Sequence, residues 1–150
     1  MYTIEEFDKT KTRVLKYIMY KKRTENEVKR KFADEDSELL DDVIEHLKEI
    51  GYINDKSYVE RAISEFMNLN NLSLKELKYK LQSKGVDTSA MDEYIYNHED
   101  ELEEYEINSA KNIILKKQNT MEEQAIIQHL LKKGYKMDSI RQAINLINIE

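Results

Sequence analysis

The side chains most able to do chemistry in this chain are cations, and they come in clusters that recur. Lys21-Lys22-Arg23 and Lys29-Arg30-Lys31 flank Thr24, and the spacing brings both to one helix–helix corner. Lys75, Lys78 and Lys84 fall on the polar face of a matching later helix, and Lys132, Lys133 and Lys136 at the equivalent end of a third. Charge runs ordinarily do no more than solvate a surface. A basic segment at the same place in successive units has a second meaning. It makes a row of charge along one side, able to follow a polyanion or an acidic protein surface. Tyr20, Tyr79 and Tyr96 lie off the apolar stripes, where stacking on bases competes with a plain surface role.

Nothing comparable supports catalysis. His46, His98 and His129 fall in three different units, with no ligand at helical spacing to complete a metal site. Adjacent carboxylates such as Asp41-Asp42 and Glu103-Glu104 sit on Glu-rich helices, where they make a wet face. The chain has no Gly-rich phosphate loop, GxSxG or Walker pattern, and no cysteine, which removes disulfides, thiolate chemistry and Cys-based zinc. The expectation is a protein that is not an enzyme and takes no cofactor.

The surrounding composition is that of exposed helices with one buried stripe each. Of 150 residues 36% are charged and 40% hydrophobic, with three glycines and no proline, too few turn formers for an all-β chain. Met1–Phe7 lacks a charged-then-apolar signal pattern and no apolar run approaches membrane length, so a cytoplasmic protein away from membranes is expected. The net charge of −6 hides alternating blocks. Residues 11–31 hold nine Lys/Arg against two Glu, 34–49 eight acids against Lys48, and 92–106 eight acids and no base, while 73–84 and 111–141 are net basic.

These blocks coincide with helices. Thr3 to Phe7 reads as a short leading turn with Thr3 and Glu6 as a capping box, followed by a helix from Lys9 to Lys22. Thr24-Glu25-Asn26-Glu27 opens a helix burying Val28 and Phe32 that stops at Asp36. Leu39, Leu40, Val43, Ile44, Leu47 and Ile50 form the strongest helical stripe. Gly51 ends it, and Asn54 or Asp55 caps the next helix, which carries Tyr58, Ala62, Ile63, Phe66 and Met67. Asn70-Asn71 breaks that helix. Ser73-Leu74-Lys75-Glu76 opens one with Leu77 and Leu81, stopped by Gly85, and Ser89 caps one with Met91, Tyr94 and Ile95. Leu102, Tyr105, Ala110, Ile113 and Ile114 lie on a helix reaching Lys117. Thr120-Met121-Glu122-Glu123 opens one with Ile126, Ile127, Leu130 and Leu131, stopped by Gly134. The last carries Met137, Ile140, Ala143, Ile144 and Ile147.

A shift of 49 residues lays Leu77 on Ile126, Leu81 on Leu130, Gly85 on Gly134, Met91 on Ile140 and Ile95 on Ile144. It also lays Val28 on Leu77, Phe32 on Leu81 and Asp36 on Gly85, with Asp36 as a left-handed cap in the glycine's place. The expected fold is all-α: an elongated, curved array of three tandem three-helix repeats, approximately 9–53, 54–98 and 99–150, in one domain over 1–150 with a continuous apolar spine. Leu47 and Ile50 should close the first core, Gly51 should take a positive φ, and Tyr52 and Ile53 should plug the seam.

Lys22-Arg23-Thr24-Glu25-Asn26-Glu27-Val28, followed by Leu47-Lys48-Glu49-Ile50-Gly51-Tyr52-Ile53-Asn54-Asp55 and Tyr58, resembles the RecX family of bacterial recombination regulators. Leu77-x-x-x-Leu81-x-x-Lys84-Gly85-Val86 and Leu130-Leu131-Lys132-Lys133-Gly134-Tyr135 resemble its later repeat signatures, and the likeness spans roughly residues 11–146. The resemblance implies three tandem three-helix repeats lodged in the groove of a RecA–DNA filament. There they would inhibit the recombinase, ATPase and coprotease activity of RecA, within homologous recombination, DNA repair and the SOS response. The chain departs from the family in being acidic, and in carrying Asn68-Leu69-Asn70-Asn71-Leu72 where a basic-Gly segment is common. Filament binding through protein contacts is then favoured, with DNA a weaker contact. The candidate contacts are Lys21, Lys22, Arg23, Lys29, Arg30, Lys31, Lys78, Lys84, Lys132 and Lys133, on a monomer. A free-standing DNA-binding helical module and a helical-repeat adaptor for another protein are the alternatives.

Overall fold

The computed structural model describes residues 1–149 and is all-helical across them. Its helices are α1 (Ile4–Tyr20), α2 (Glu25–Lys31), α3 (Ser37–Glu49), α4 (Asp55–Leu69), α5 (Leu74–Ser83), α6 (Thr88–Asn97), α7 (Glu99–Lys117), α8 (Glu123–Lys133) and α9 (Met137–Ile149). No helix is long and apolar enough to cross a membrane. The apolar stripes fold these into triplets. Val14 and Ile18 of α1 meet Val28 of α2, the Leu39–Leu47 stripe of α3, Phe32 and Ile53. Val59 and Ile63 of α4 meet Leu77, Leu81 and Met91 of α5 and α6. Ala110, Ile113 and Ile114 of α7 meet Ile126, Leu130, Ile140 and Ala143 of α8 and α9. The expected continuous spine is therefore three separate apolar clusters. Among the described residues only α7 bridges two, because its first half sends Leu102 and Tyr105 into the second.

The triplets are fastened to one another by polar contacts that recur 49 residues apart. Thr24 and Ser73 each complete a capping box with Glu27 and Glu76. Each hydroxyl is buried and also donates to the carbonyl ending the next triplet's middle helix: Thr24 Oγ1 to Lys84 O at 2.9 Å, Ser73 Oγ to Lys133 O at 2.8 Å. Gly85 and Gly134 follow those carbonyls with φ of +74° and +99°. Both sit so close to the neighbouring helix that an added Cβ would lie 2.7 Å from Asn26 Cβ or 2.9 Å from Lys75 Cβ. An acid completes each joint. Asp55 accepts from the Glu25 and Asp87 N–H groups, both at 3.0 Å, and Glu106 accepts from the Lys136 N–H at 2.8 Å.

Several sequence expectations are corrected. The first helix starts at Ile4 rather than Lys9, because Tyr2 and Phe7 pack on the first cluster and hold the early turns down; Thr3 accepts from the Glu6 N–H at 3.1 Å, without the reciprocal half of a box. Asp36 has φ −56° and is the N-cap of α3, accepting from Leu39 N–H, while α2 ends a turn earlier at Phe32 and needs no left-handed residue. Of the two residues expected to cap α4, Asn54 is the one that does. Ser89 lies inside α6, which follows Asp87. Thr120 turns back to donate to Lys117 O, so α8 starts two residues later behind Glu122, 49 residues after Ser73 and in register with the other joints. At the first link Ile53 is buried, but Ile50 and Tyr52 are about half exposed, since Ile50 caps α3 beyond the stripe. Gly51 has the expected positive φ, +86°.

Replacing the three glycines separates strain from contact. Gly51→Ala should cost about 1 kcal/mol, the left-handed penalty alone, as its Cβ would meet nothing within 4 Å. Gly85→Ala and Gly134→Ala must also push a joint open and should cost about 2–4 kcal/mol each. Urea denaturation of the three variants reads the difference; equal costs would mean the joints are not tightly closed.

Candidate partner-binding surface

The cations predicted from sequence sit on and around the middle helices α2, α5 and α8, and the joints bring them together. The C-terminal end of α5 abuts the N-terminal end of α2, and the end of α8 abuts the start of α5, so the three helix dipoles run head to tail. Arg30 reaches over the first joint: its Nη2 would lie 3.4 Å from a Cβ on Gly85, beside the exposed Lys84. Lys78 is exposed on α5, and Lys132 on the last turn of α8. Lys21 and Lys22 are exposed in the link before α2.

The remaining candidates are occupied. Arg23 lies over the Tyr17 ring at 4.2 Å and pairs with Glu27 at 3.7 Å, with both side chains 17% exposed. Its buried Nε has no partner, so Arg23 packs α1 on α2 rather than reaching outward. Lys31 meets the same ring at 5.8 Å, which builds the expected corner around Tyr17. Lys29 pairs with Glu25 at 3.5 Å, as does Lys48 at 3.0 Å. Burial works against ionising Glu25, but these two lysines outweigh it and hold its carboxyl below its usual value. Lys133 is spent on the second joint, bonding Asn71 O and lying 3.9 Å from Glu76.

Lys117 was not among the sequence candidates. His129 is pushed below its ordinary value by burial and by Lys117, Lys133 and Lys132, which marks a positive patch where α7 ends beside α8. The signal was available, as Lys116-Lys117 closes a helix, but only the fold sets it beside Lys132. Tyr20, Tyr79 and Tyr96 are largely exposed, as expected. Among the described residues no group of three His, Cys, Asp or Glu side chains could hold a metal.

No family model matches the chain. A protein of Staphylococcus haemolyticus named "Regulatory protein RecX" is 31% identical over 141 residues, 91% of this chain and 53% of the relative. One of the same name from Finegoldia magna is 30% identical over 136 residues, 85% of this chain and 66% of the relative. A third, from Clostridioides difficile, is 26% identical over 152 residues, 97% and 72% respectively. The crystal structure of RecX from Lactobacillus salivarius covers 99% of this chain and 100% of its own, with a TM-score of 0.80 and 24% identity. The chain belongs to the RecX family. It spans little more than half the length of the first RecX relatives it matches.

For a RecX member whose cation row crosses two joints, the joints' own electrostatics set how firmly the row is held. Glu106 is almost wholly buried, and desolvation raises its pKa above the ordinary 4.5. The Lys136 N–H and the Lys136 charge oppose the shift, and Glu103 adds to it. The Leu74 N–H faces the same carboxyl and also lowers the pKa, but falls short of a full hydrogen bond and leaves Oε2 unpartnered. A raised folded pKa means that this group's stabilising contribution is present below pH 4.5 and lost as pH rises through the folded value. Glu106→Gln keeps the acceptor for Lys136 and never ionises. It should resist urea better than the parent at pH 7.5, with the gap closing toward pH 4.5; a gap independent of pH would count against an ionised Glu106 as its source.

Proposed function

We propose that this protein is a non-enzymatic, cytoplasmic regulator of RecA. It binds in the groove of the RecA–DNA filament and inhibits the recombinase, ATPase and coprotease activities that depend on it, in homologous recombination, DNA repair and the SOS response. The observation that carries the reading is the likeness to RecX regulators over nearly the whole chain. The surface is consistent with it. Lys21, Lys22, Arg30, Lys78, Lys84 and Lys132 are exposed without an ion pair among the described residues, although the chain carries a net charge of −6. Local cations on an acidic protein suit a partner that offers acidic patches or phosphate at set intervals better than they suit naked duplex, where total charge governs affinity. The triplets act as tandem units of about 49 residues on a monomer, and their joints set the spacing of the row.

Strand exchange and ATP hydrolysis by the cognate RecA on single-stranded DNA, titrated with this protein, test the reading. Both rates should fall at near-stoichiometric ratios, and the protein should co-sediment with filaments. The double variant Lys78→Glu, Lys132→Glu should bind filaments roughly tenfold more weakly, the order expected for losing one or two charge contacts, with an unchanged thermal midpoint. Unchanged rates and no co-sedimentation would sink the proposal. Strong, steeply salt-dependent binding to DNA alone would replace it with the DNA-binding reading.

A further inference from the structure

Each joint holds a polar cavity, and the two differ in what neutralises their acids. At the first joint Glu25, Asp55, Asp87 and Glu93 line a cavity of about 490 Å³ together with Lys48 and Lys56. The chain supplies its own counter-charge there: Lys48 Nζ lies 3.0 Å from Glu25, and Lys56 Nζ lies 3.5 Å from Glu93. At the second joint Glu99, Glu103 and Glu106 line a cavity of about 420 Å³, with Leu74, Leu77, Ile95 and Leu102 as its apolar wall. The residues 49 positions after Lys48 and Lys56 are Asn97 and Tyr105, and neither is a cation.

The second cavity therefore keeps carboxylates that the chain does not neutralise. Glu99, Glu103 and Glu106 fall at i, i+4 and i+7 of α7, on one face of the helix. Among the described residues none of the three has an ion pair. Glu106 is 1% exposed; its Oε1 accepts from the Lys136 N–H at 2.8 Å, while its Oε2 has no hydrogen-bond partner. Lys75, Lys78 and Lys136 share the lining without supplying one. Lys75 lays its stem along Gly134, and Lys78 and Lys136 are exposed. A buried carboxylate oxygen without a partner is costly. The first joint shows what satisfies such a place: one basic side chain, Lys48, reaching the start of the middle helix.

We propose that the cavity at the second joint receives an arginine side chain of a partner protein, which takes the part that Lys48 plays at the first. The stem lies on Leu74, Leu77, Ile95 and Leu102, since arginine buries its methylenes along apolar surface while its head stays polar. The guanidinium meets Glu106 Oε2 and Glu103. Its rigid fork of five donors serves two carboxylates at once, which the point charge of a lysine does less well. This contact is opposite in sign to the cation row and does not depend on RecA, so either can fail without the other.

The probe is a capped peptide of one arginine between two alanines, titrated at fixed ionic strength into the full chain carrying labelled isoleucine methyls. It should shift Ile95, which lines the cavity, and leave Ile44 of the first cluster unmoved. The same peptide with citrulline, which keeps the shape and loses the charge, should move neither. Glu106→Gln should weaken binding roughly tenfold, the order of one lost charge-assisted contact. Asn97→Lys puts a cation at the position equivalent to Lys48 and should fill the cavity from within, with a comparable loss of peptide binding. No shift at Ile95, an equal response to the citrulline peptide, or binding indifferent to both substitutions would overturn the proposal and leave water as the occupant. Concentration-dependent dimers abolished by Glu106→Gln would overturn it in favour of a second copy.

Discussion

One hydroxyl group at the start of each of the first two middle helices holds the arrangement together. Thr24 and Ser73 accept from the first turn of their own helix and donate to the last carbonyl of the next triplet's middle helix, with no exposure to water. A buried donor or acceptor left without its partner costs about 1–3 kcal/mol, so neither helix can start properly unless the following one has ended in the right place. The left-handed glycines at 85 and 134 bring that ending close enough. Asp55 and Glu106 then hold further N–H groups at the same junctions. The residues that would face a partner lie a turn or less from these contacts, and their spacing follows from them.

Helices were legible in the sequence wherever an apolar stripe met a strong stop. Gly51, Gly85 and Gly134 end their helices as their surroundings announce, and the Thr24 and Ser73 boxes form in full. The misreadings share a cause. Thr120, Ser89 and Asp36 each have the side chain of a cap, but whether a short polar residue caps the next helix or bonds back to the previous turn is decided by packing. Thr120 bonds back and Ser89 falls inside α6; Asp36 caps the helix after the one it was expected to end. Pairing across triplets was invisible. Nothing local marks Asp55 as the group that would bind backbone from two separate segments, or Glu106, one acid among several, as the one that would bind the Lys136 N–H.

The cation row was legible as composition and less so as geometry. Ten basic residues look alike in the sequence, yet Arg23 and Lys133 are structural, and Lys117 joins the surface from the end of α7. Burial of an arginine against an aromatic ring cannot be seen in a charge pattern, because the guanidinium stacks while its stem buries. The acidic blocks take complementary places on α3, α6 and the start of α7. Net charge thus says little about this RecX member's partner, and the placement of each sign says more.

The two joints also differ in mechanics. α7 carries side chains of both the second and third clusters along a single 19-residue helix, which acts as a splint across the second joint. Among the described residues no helix plays that part at the first. α1 packs chiefly on α3, within its own triplet, and the chain crosses by a short link in which Gly51 has open space around it. Bending at that link strains hydrogen bonds worth about 1 kcal/mol each and leaves the apolar clusters of both sides intact. The second joint is thus held by a shared helix as well as by hydrogen bonds, and the first by its hydrogen bonds and the close approach of Gly85 to Asn26.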